Sequence, residues 1–521
     1  MPKNIVLCSD GTGNAAEKNR GTNVFKLFEA VDFQTPERDS PQPLQVAFYD
    51  DGVGTENFKP LKIIGGAFGY GLERNVRQLY TELARVYEPG DRIYLFGFSR
   101  GAFTVRTLAG IIGQVGIVDR VSAGTDAELE RFVKLAFAEH RRCYQRWLSK
   151  KLGRKLDPKL ADRFRDRYSV KHPVHAPDGH VRIAFIGVWD TVDAVGFPID
   201  EVSQLWNALI YPFRAPDTKL NPYVDSAAHA IAIDDERYTF HPVLWDERAE
   251  RTHRIQQVWF SGVHSNVGGG YPKQGMSLVS LVWMMDLAER SGLRFVPSAR
   301  TLYFELKNVN DKLYDSRSGL ASYYRYKPRD IEAVCLAAGI QPKVHLSVIG
   351  RIALGVERYS PGNLPNHLEV VSNAHPDIAA AATRLLSGES PRLLSDARSI
   401  VLLRRACHSA VVFLTLFMVA CLAWYTVDVP SLRGLGAWDA TVTAVVKLAA
   451  LGSSAGIWNA IKSLAASQTW SVLALGVVWL IMWRLRVRQD QAYAEYWYKR
   501  RRALRKLFEA LPKADAAYSS E

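Results

Sequence analysis

The segment RIYLFGFSRGAFTV at residues 92–105 decides the fold. Its first half is a short apolar run, which is typical of a buried strand, and an apolar helical pattern covers 102–113. Between the two lies GFSRG at 97–101, a G-x-S-x-G string at a strand-to-helix junction. In such an elbow the serine has a strained backbone, and small residues on either side let the chain pass close by. The segment therefore predicts a nucleophile, Ser99, on an α/β scaffold.

Strand and helix patterns alternate on both sides of this segment. The other predicted strands are each a short apolar run that ends in a polar or glycine-containing loop. They cover 5–8, 44–49, 181–188 and 255–260, and a helix is predicted at 74–87. Such alternation predicts a mostly parallel sheet with helices on both faces, as in α/β-hydrolases.

A serine needs a base and an orienting acid to attack at neutral pH. His264 lies in a glycine-rich loop just after the strand at 255–260, and Asp190 ends the strand at 181–188. Open α/β sheets place their sites at such strand ends. The chain order Ser, Asp, His is that of α/β-hydrolases. The sequence thus predicts a triad of Ser99, Asp190 and His264.

Alternatives remain for two of these roles. Asp193 is a rival acid, and His229 and His241 are rival bases that also suit a core or a surface. The five cysteines are scattered without metal-ligand spacing, so the sequence predicts neither a disulfide framework nor a metal or cofactor.

An oxyanion hole is predicted from two loops. The helix after Ser99 directs its N-terminal amides toward the reacting carbon, which makes the N–H of Arg100 one donor. A second donor is expected from Gly11 or Thr12, in the loop after the first strand, although a simple tight turn would explain these residues as well.

Two apolar stretches near the C-terminus predict membrane-spanning helices, at 406–427 and 463–485. Aromatic residues lie toward their ends, and arginines precede the first stretch and follow the second. The positive-inside rule then places both flanks in the cytoplasm. The competing interpretation is a pair of buried helices in a large soluble domain. For residues 428–466, an amphipathic helix in the membrane interface is one interpretation, and the sequence leaves their placement open.

The 521 residues exceed one ordinary core, so the chain is divided into two regions. Residues 1–395 are predicted to form the catalytic domain, with a basic helical insertion at about 120–175, and 396–521 a membrane-anchoring region with a basic C-terminal helix. The formal charge of +13 suits acidic lipid headgroups. No nucleic-acid motif accompanies that charge, and no cleaved export signal is visible at the N-terminus.

Five motifs resemble the Tle1-like family of α/β-hydrolases, the DUF2235 type that includes type VI secretion phospholipase effectors. They are SDGTGN at 9–14, GFSRGAF at 97–103, WDTV at 189–192, AIAIDDER at 230–237 and GVHSNVGGGY at 262–271. The resemblance implies the triad named above and phospholipid esters as substrates. It also implies an immunity or secretion partner protein. Relatives commonly carry an aspartate where this chain has Asn266.

The sequence therefore predicts a membrane-associated serine ester hydrolase of the EC 3.1.1 class, a phospholipase A or lipase. The alternatives are an esterase for non-lipid esters and a non-catalytic, hydrolase-like membrane interaction module. The expected location is the bacterial inner membrane, with a multi-pass anchor and a cytoplasmic catalytic domain. A secreted effector that inserts into a target membrane is the alternative.

Overall fold

The described part of the chain covers most of the catalytic region, with several gaps. The computed structural model describes residues 2–11, 21–34, 42–52, 67–151, 159–171, 180–192, 218–248, 250, 252–365, 367–387, 398–427, 462 and 468–509. Most of the interface segment predicted at 428–466 therefore lies outside the described residues.

One sheet of eight strands organises these residues. Each pair of neighbouring strands is parallel, and the spatial order is β2-β1-β3-β4-β5-β6-β7-β8. The strands are β1 Lys3–Ser9, β2 Leu44–Asp50, β3 Arg92–Phe98, β4 Ile183–Trp189, β5 Ala227–Ala232, β6 Ile255–Phe260, β7 Lys343–His345 and β8 Glu369–Val371. Because all strands run the same way, their C-terminal ends form one edge of the sheet, which we call the carboxyl edge.

The helices connect these strands and extend beyond them. In chain order they are α1 Asn23–Ala30, α2 Ala67–Val86, α3 Arg100–Val115, α4 Arg120–Ala123, α5 Asp126–Lys151, α6 Leu160–Tyr168, α7 His264–Gly268, α8 Gly275–Arg290, α9 Pro297–Leu306, α10 Ile331–Ala338, α11 Leu346–Leu354, α12 Pro376–Leu386, α13 Arg398–Val427 and α14 Thr469–Phe508.

Alternating strand residues bury both faces of the sheet. Ile5 and Leu7 of β1 pack in one apolar cluster with α2, α3, α5 and α6. Val6 and Cys8 pack in a second cluster with α1 and α8. Since successive side chains of a strand point to opposite faces, the two clusters cover the two faces. The prediction of a mostly parallel sheet with helices on both faces is confirmed.

The strand order reverses direction at β1, which lies between β2 and β3. The chain leaves β1 toward β2, but it leaves β3 toward β4 on the other side. The loops after β1 and β3 therefore part at the carboxyl edge, and such a switch point is where open α/β sheets hold ligands. Ser99 follows β3 at this point.

Two glycines allow the close approach of β1, β3 and α3. A Cβ on Gly97 would lie 2.5 Å from the carbonyl oxygen of Gly101. A Cβ on Gly101 would overlap the carbonyl of Ser9 at the end of β1. Both obstacles are backbone atoms, which cannot turn aside as a flexible side chain can. The elbow thus requires glycine at both places.

Most of the described residues in the segment predicted as an insertion at 120–175 are helical, and part of the segment is integral to the core. It contains α4, α5 and α6, and the described side chains Leu129, Val133, Phe137 and Phe164 are buried in the cluster that α3 shares. These buried side chains support the helix that begins at Arg100.

The two C-terminal helices are long and apolar enough to cross a membrane. In the most apolar 18-residue stretch of each helix, only 22% of α13 and 6% of α14 is buried. A helix in the core of a soluble domain would be mostly buried. The second half of α14 differs, because Trp497 and Leu504 are buried in a third cluster with α11 and α12. One helix therefore combines an exposed apolar half with a half that packs on the sheet domain.

We predict that Gly101→Ala lowers the free energy of unfolding by about 1–3 kcal/mol, because the added methyl meets the β1 backbone and overpacking costs that much. Thermal unfolding of the full chain in detergent micelles measures this. The control is Gly476→Ala in α14, where nothing lies within 4 Å of the added Cβ. Equal stability of wild type and Gly101→Ala would contradict the close-approach argument.

Candidate functional site

Ser99 occupies the junction between β3 and α3. Its φ of 59° and ψ of −121° lie outside the usual regions for a residue with a side chain. Its N–H donates to the carbonyl of Trp189 at 3.0 Å, which joins the elbow to the end of β4. Strained residues that the surrounding structure holds in place are typical of functional sites. The geometry agrees with the elbow predicted from the sequence.

Asp190 follows β4 and is completely buried. Its φ is 39°, so it also has an unusual backbone conformation. Its Oδ1 accepts a hydrogen bond from the N–H of Ala232 at 2.9 Å, which links it to the end of β5. A buried carboxylate needs a charged partner and further hydrogen bonds to replace its lost hydration, and two side chains supply them.

The first partner is Arg329, which sequence analysis did not identify. Its Nη1 donates to Asp190 Oδ1 at 2.7 Å and its Nη2 to Asp190 Oδ2 at 2.8 Å, and both side chains are 0% exposed. Burial alone would raise the pKa of Asp190, but the charge and hydrogen bonds of Arg329, together with His264, hold that pKa well below its usual range. Asp190 is therefore an anion at neutral pH.

The second partner is His264, the first residue of α7. Its Nδ1 lies 2.5 Å from Asp190 Oδ2, so the structure brings the predicted acid and base together. The ring also contacts Phe98, the neighbour of Ser99, with 4.6 Å between ring centroids. Burial lowers the pKa of His264 below its ordinary value, although Asp190 acts in the opposite direction. A neutral imidazole is favoured, as a general base requires.

The AIAIDDER motif supports the loop that carries His264. Asp235 Oδ2 accepts the N–H of His264 at 3.2 Å and is itself bound by Arg237 Nη2 at 2.7 Å. Asp234 Oδ2 accepts the N–H of Gly262 at 2.6 Å. Asp234 and Asp235 thus fix the backbone of this loop at Gly262 and at His264. Sequence analysis identifies AIAIDDER as a family motif but assigns no role to its aspartates.

The rival residues have other contacts. His229 accepts the N–H of Thr191 at its Nε2 over 3.1 Å, and burial lowers its pKa to about 3. His241 Nε2 lies 3.0 Å from the carbonyl oxygen of Lys327, so this nitrogen donates to that carbonyl. Neither has the contact with Asp190 that His264 makes. Asp193 lies outside the described residues.

The predicted oxyanion donors differ in what surrounds them. Arg100 begins α3, so its amide is at the helix N-terminus beside Ser99. The N–H of Gly11 donates to Asp10 Oδ1 at 2.6 Å. That carboxylate also accepts the hydroxyl of Tyr49 at 2.7 Å, which fixes the loop after β1. Thr12 lies outside the described residues.

In the described part of the chain, the Ser99 hydroxyl and the His264 ring are not hydrogen-bonded to each other. The hydrogen bond from Ser99 N to Trp189 and the contact of Phe98 with His264 nevertheless keep serine, acid and base at one point of the carboxyl edge. Catalytic hydrogen bonds are often long without substrate and shorten when it binds.

Both the oxygen and the nitrogen of the Asn266 side-chain amide are hydrogen-bonded. Its Oδ1 accepts the N–H of Tyr314 at 3.3 Å, and its Nδ2 donates to the carbonyl of Lys312 at 3.0 Å. The side chain is 1% exposed. An aspartate could accept but not donate here, and it would direct an anion at a carbonyl oxygen. In this chain the amide ties the His264 helix to the loop after α9.

Within the described ranges, no group of three or more His, Cys, Asp or Glu side chains could hold a metal ion.

We predict that Asn266→Asp lowers the free energy of unfolding by about 1–3 kcal/mol at neutral pH, because it places a carboxylate in a buried position and removes the donor to the Lys312 carbonyl. Denaturant unfolding measures it. Asn373→Asp, at an exposed turn, is the control and should change little. If the two variants were equally stable, the buried amide would have no structural importance.

Comparison with known proteins identifies the family of the chain. The uncharacterized protein YEL023C of Saccharomyces cerevisiae is 29% identical over 251 residues, which are 46% of this chain and 32% of that protein, so the match spans about a third of the relative. A crystal structure of an uncharacterized protein from Pseudomonas aeruginosa aligns at 16% identity with a TM-score of 0.33, over 87% of this chain and 62% of that one. Residues 3–287 match the family described as T6SS, Phospholipase effector Tle1-like, catalytic domain. Because that match covers more than half of the sequence, the chain belongs to the Tle1-like family of type VI secretion phospholipase effectors.

Proposed function

We propose that the chain is a serine ester hydrolase that cleaves carboxylic esters of membrane phospholipids. The observation that carries the proposal is the 2.5 Å contact between His264 and a buried Asp190 anion beside the strained elbow of Ser99. The family match supports a phospholipase or lipase. The exposed apolar halves of α13 and α14 support a substrate that lies in a bilayer.

The proposed reaction has two halves. Ser99 Oγ attacks the acyl carbonyl carbon while its proton passes to His264 Nε2. The ester C–O bond then breaks, and His264 returns that proton to the leaving alcohol oxygen. In the second half, His264 removes a proton from water, whose oxygen attacks the acyl carbon, and the fatty acid leaves as Ser99 Oγ regains a proton. Asp190 holds the imidazole and stabilises its charged form.

We propose that the oxyanion is bound by the amide of Arg100 together with the loop at Gly11 and Thr12. The N-terminal position of Arg100 in α3 supports the first donor, because helix N-termini favour negative charge. The Gly11 amide would have to leave Asp10 for the oxyanion, so it is the donor whose contribution we expect to be smaller.

We also propose a location. The arginines that flank the apolar helices support a resident inner-membrane protein with a cytoplasmic catalytic domain. Delivery into a target membrane is the alternative, and the family's effector members favour it.

We predict that Ser99→Ala lowers fatty-acid release from phospholipid vesicles by about 10³-fold or more, since loss of a triad nucleophile has effects of that order or greater. Mass spectrometry of the released products measures it. Ser122→Ala, exposed on α4, is the control. Undiminished release by Ser99→Ala would refute Ser99 as nucleophile.

The same assay separates the alternatives. Wild type that hydrolyses short soluble esters but no phospholipid would be a non-lipid esterase. Wild type that hydrolyses neither would be a non-catalytic module at the membrane.

A further prediction concerns pH. Burial lowers the pKa of His264, so the acid limb of kcat/KM should have its midpoint below the ordinary histidine value of about 6.5. Arg237 contributes to that lowering and also neutralises Asp235. Arg237→Gln should therefore move the midpoint upward.

The control for this shift is Arg248→Gln. Arg248 binds Asp246 with the same two-nitrogen fork, but it is exposed and does not contact the His264 loop. It should leave the pH profile unchanged. An Arg237→Gln profile with an unchanged or lowered midpoint would contradict the electrostatic account of His264.

A further inference from the structure

The second half of α14 is held against the sheet domain. Arg501 Nε donates to the carbonyl of Ile352 at 3.1 Å, and Arg505 Nε to that of Ala353 at 2.8 Å. These carbonyls are at the C-terminal end of α11. Trp497 and Leu504 are buried in the apolar cluster that contains α11 and α12. The part of α14 after Gln489 is therefore fixed to the sheet domain by direct contacts.

Earlier in its sequence, α14 reaches the carboxyl edge. Gln489 Oε1 accepts Nη1 of Arg404 at 2.5 Å, in the first turns of α13. Arg404 Nη2 in turn lies 3.8 Å from a carboxylate oxygen of Glu236, in the loop after β5. Since that loop leaves the carboxyl edge, Gln489 marks the level at which α14 passes it.

The residues of α14 after Gln489 pack on the sheet domain and those before Leu485 are largely exposed, so the apolar first half of the helix extends from the carboxyl edge away from the sheet. At about 1.5 Å per residue, the stretch from Thr469 to Leu485 measures roughly 25 Å, which is close to the thickness of a bilayer's hydrocarbon core. Its large apolar side chains are exposed: Trp470 is 84% exposed and Trp483 60%. Water is a poor solvent for such a surface, whereas lipid is a good one.

The arginines lie at the level of the same edge. Arg404 and Arg405 precede the apolar part of α13, and Arg484, Arg486 and Arg488 follow that of α14. Arg486 pairs with Asp315 at 2.9 Å. Cations at this level suit the anionic headgroup layer of a membrane. The charge pattern thus places the headgroups beside the carboxyl edge.

One loop, which follows α9, connects the site to α13 and α14, the pair of C-terminal helices. His408 Nε2 of α13 lies 3.2 Å from the carbonyl oxygen of Tyr323, and Arg486 of α14 binds Asp315. The same loop provides the Lys312 carbonyl that Asn266 binds, next to His264 in α7. The helix pair is therefore fixed to the site by direct contacts rather than joined to it by a linker alone.

We infer that the carboxyl edge, with Ser99, Asp190 and His264, faces the leaflet in which α13 and α14 are inserted, so that the ester substrate comes from that same membrane. The substrate half of this inference rests on the proposed function, whereas the orientation does not. A lipase that docked from solution would attack any accessible bilayer. This chain should attack the one that holds it.

The first experiment tests orientation without activity. A fluorescent non-canonical amino acid replaces Lys273, an exposed residue beyond α7, or Glu88, an exposed residue before β3 at the opposite edge. The full chain is reconstituted in vesicles of phosphatidylethanolamine and phosphatidylglycerol with spin-labelled headgroups. We expect quenching at position 273 to be several-fold stronger than at 88. Equal quenching, or stronger quenching at 88, would overturn the orientation.

The second experiment tests the source of the substrate. Vesicles that contain the full chain carry a phospholipid with one fluorogenic acyl reporter, and protein-free vesicles in the same tube carry a second reporter. We expect the first reporter to be released at least tenfold faster, at a rate that does not change on dilution. Equal release from both populations would overturn the inference.

A short-chain soluble ester in a parallel assay separates the two claims. Hydrolysis of that ester without release of either vesicle reporter would leave the serine hydrolase intact and refute the same-membrane substrate. Headgroup quenching at position 273 without hydrolysis of any ester would support the orientation and refute the proposed function.

Discussion

The site depends on one buried carboxylate, that of Asp190. A carboxylate without water is costly unless charge and hydrogen bonds replace the lost hydration. Here the fork of Arg329 supplies both, the amide of Ala232 adds a third donor, and His264 completes the set. Removing Arg329 would leave the Asp190 charge unpaired inside the protein, and removing either of the others would deprive the carboxylate of a hydrogen bond. The position of the imidazole is therefore tied to the stability of the core around it.

The same principle organises the surroundings of His264. Asp235 would repel Asp190 in the low-dielectric interior, but Arg237 binds it and Arg329 lies nearby. The two aspartates and two arginines form a balanced set in which the histidine stays neutral. A neutral base at rest and an anionic acid behind it are what the proposed acyl transfer needs. The same ion pairs therefore stabilise the fold and keep these side chains in the charge states that the proposed reaction needs.

Much of the sheet and of the site could be predicted from local patterns. The strand runs and the loops at their ends indicate β1 to β4 and β6, and parallel strands bring Ser99, Asp190 and His264 to one edge. By contrast, β5 is rich in alanine and does not stand out as a strand, and β7 and β8 have three residues each. Their pairing depends on tertiary packing.

Two further features needed the structure. Arg329 is 139 positions from Asp190 and lies in no motif, so no local signal marks it. The basic C-terminal helix that the sequence predicts within 396–521 is part of α14, which continues from its apolar half without a break. No glycine or proline interrupts 477–508, so nothing ends the helix there. Its packed second half is what fixes the direction of the apolar first half.

The central claim is that Ser99 is an activated nucleophile. A fluorophosphonate that reacts only with activated serines, followed by peptide mass spectrometry of the full chain in lipid vesicles, tests it most directly. The account predicts a single adduct on Ser99, strongly slowed in His264→Ala and Asp190→Asn. An adduct on another serine, or hydrolysis of phospholipid that continues while Ser99 stays unmodified under excess reagent, would contradict it.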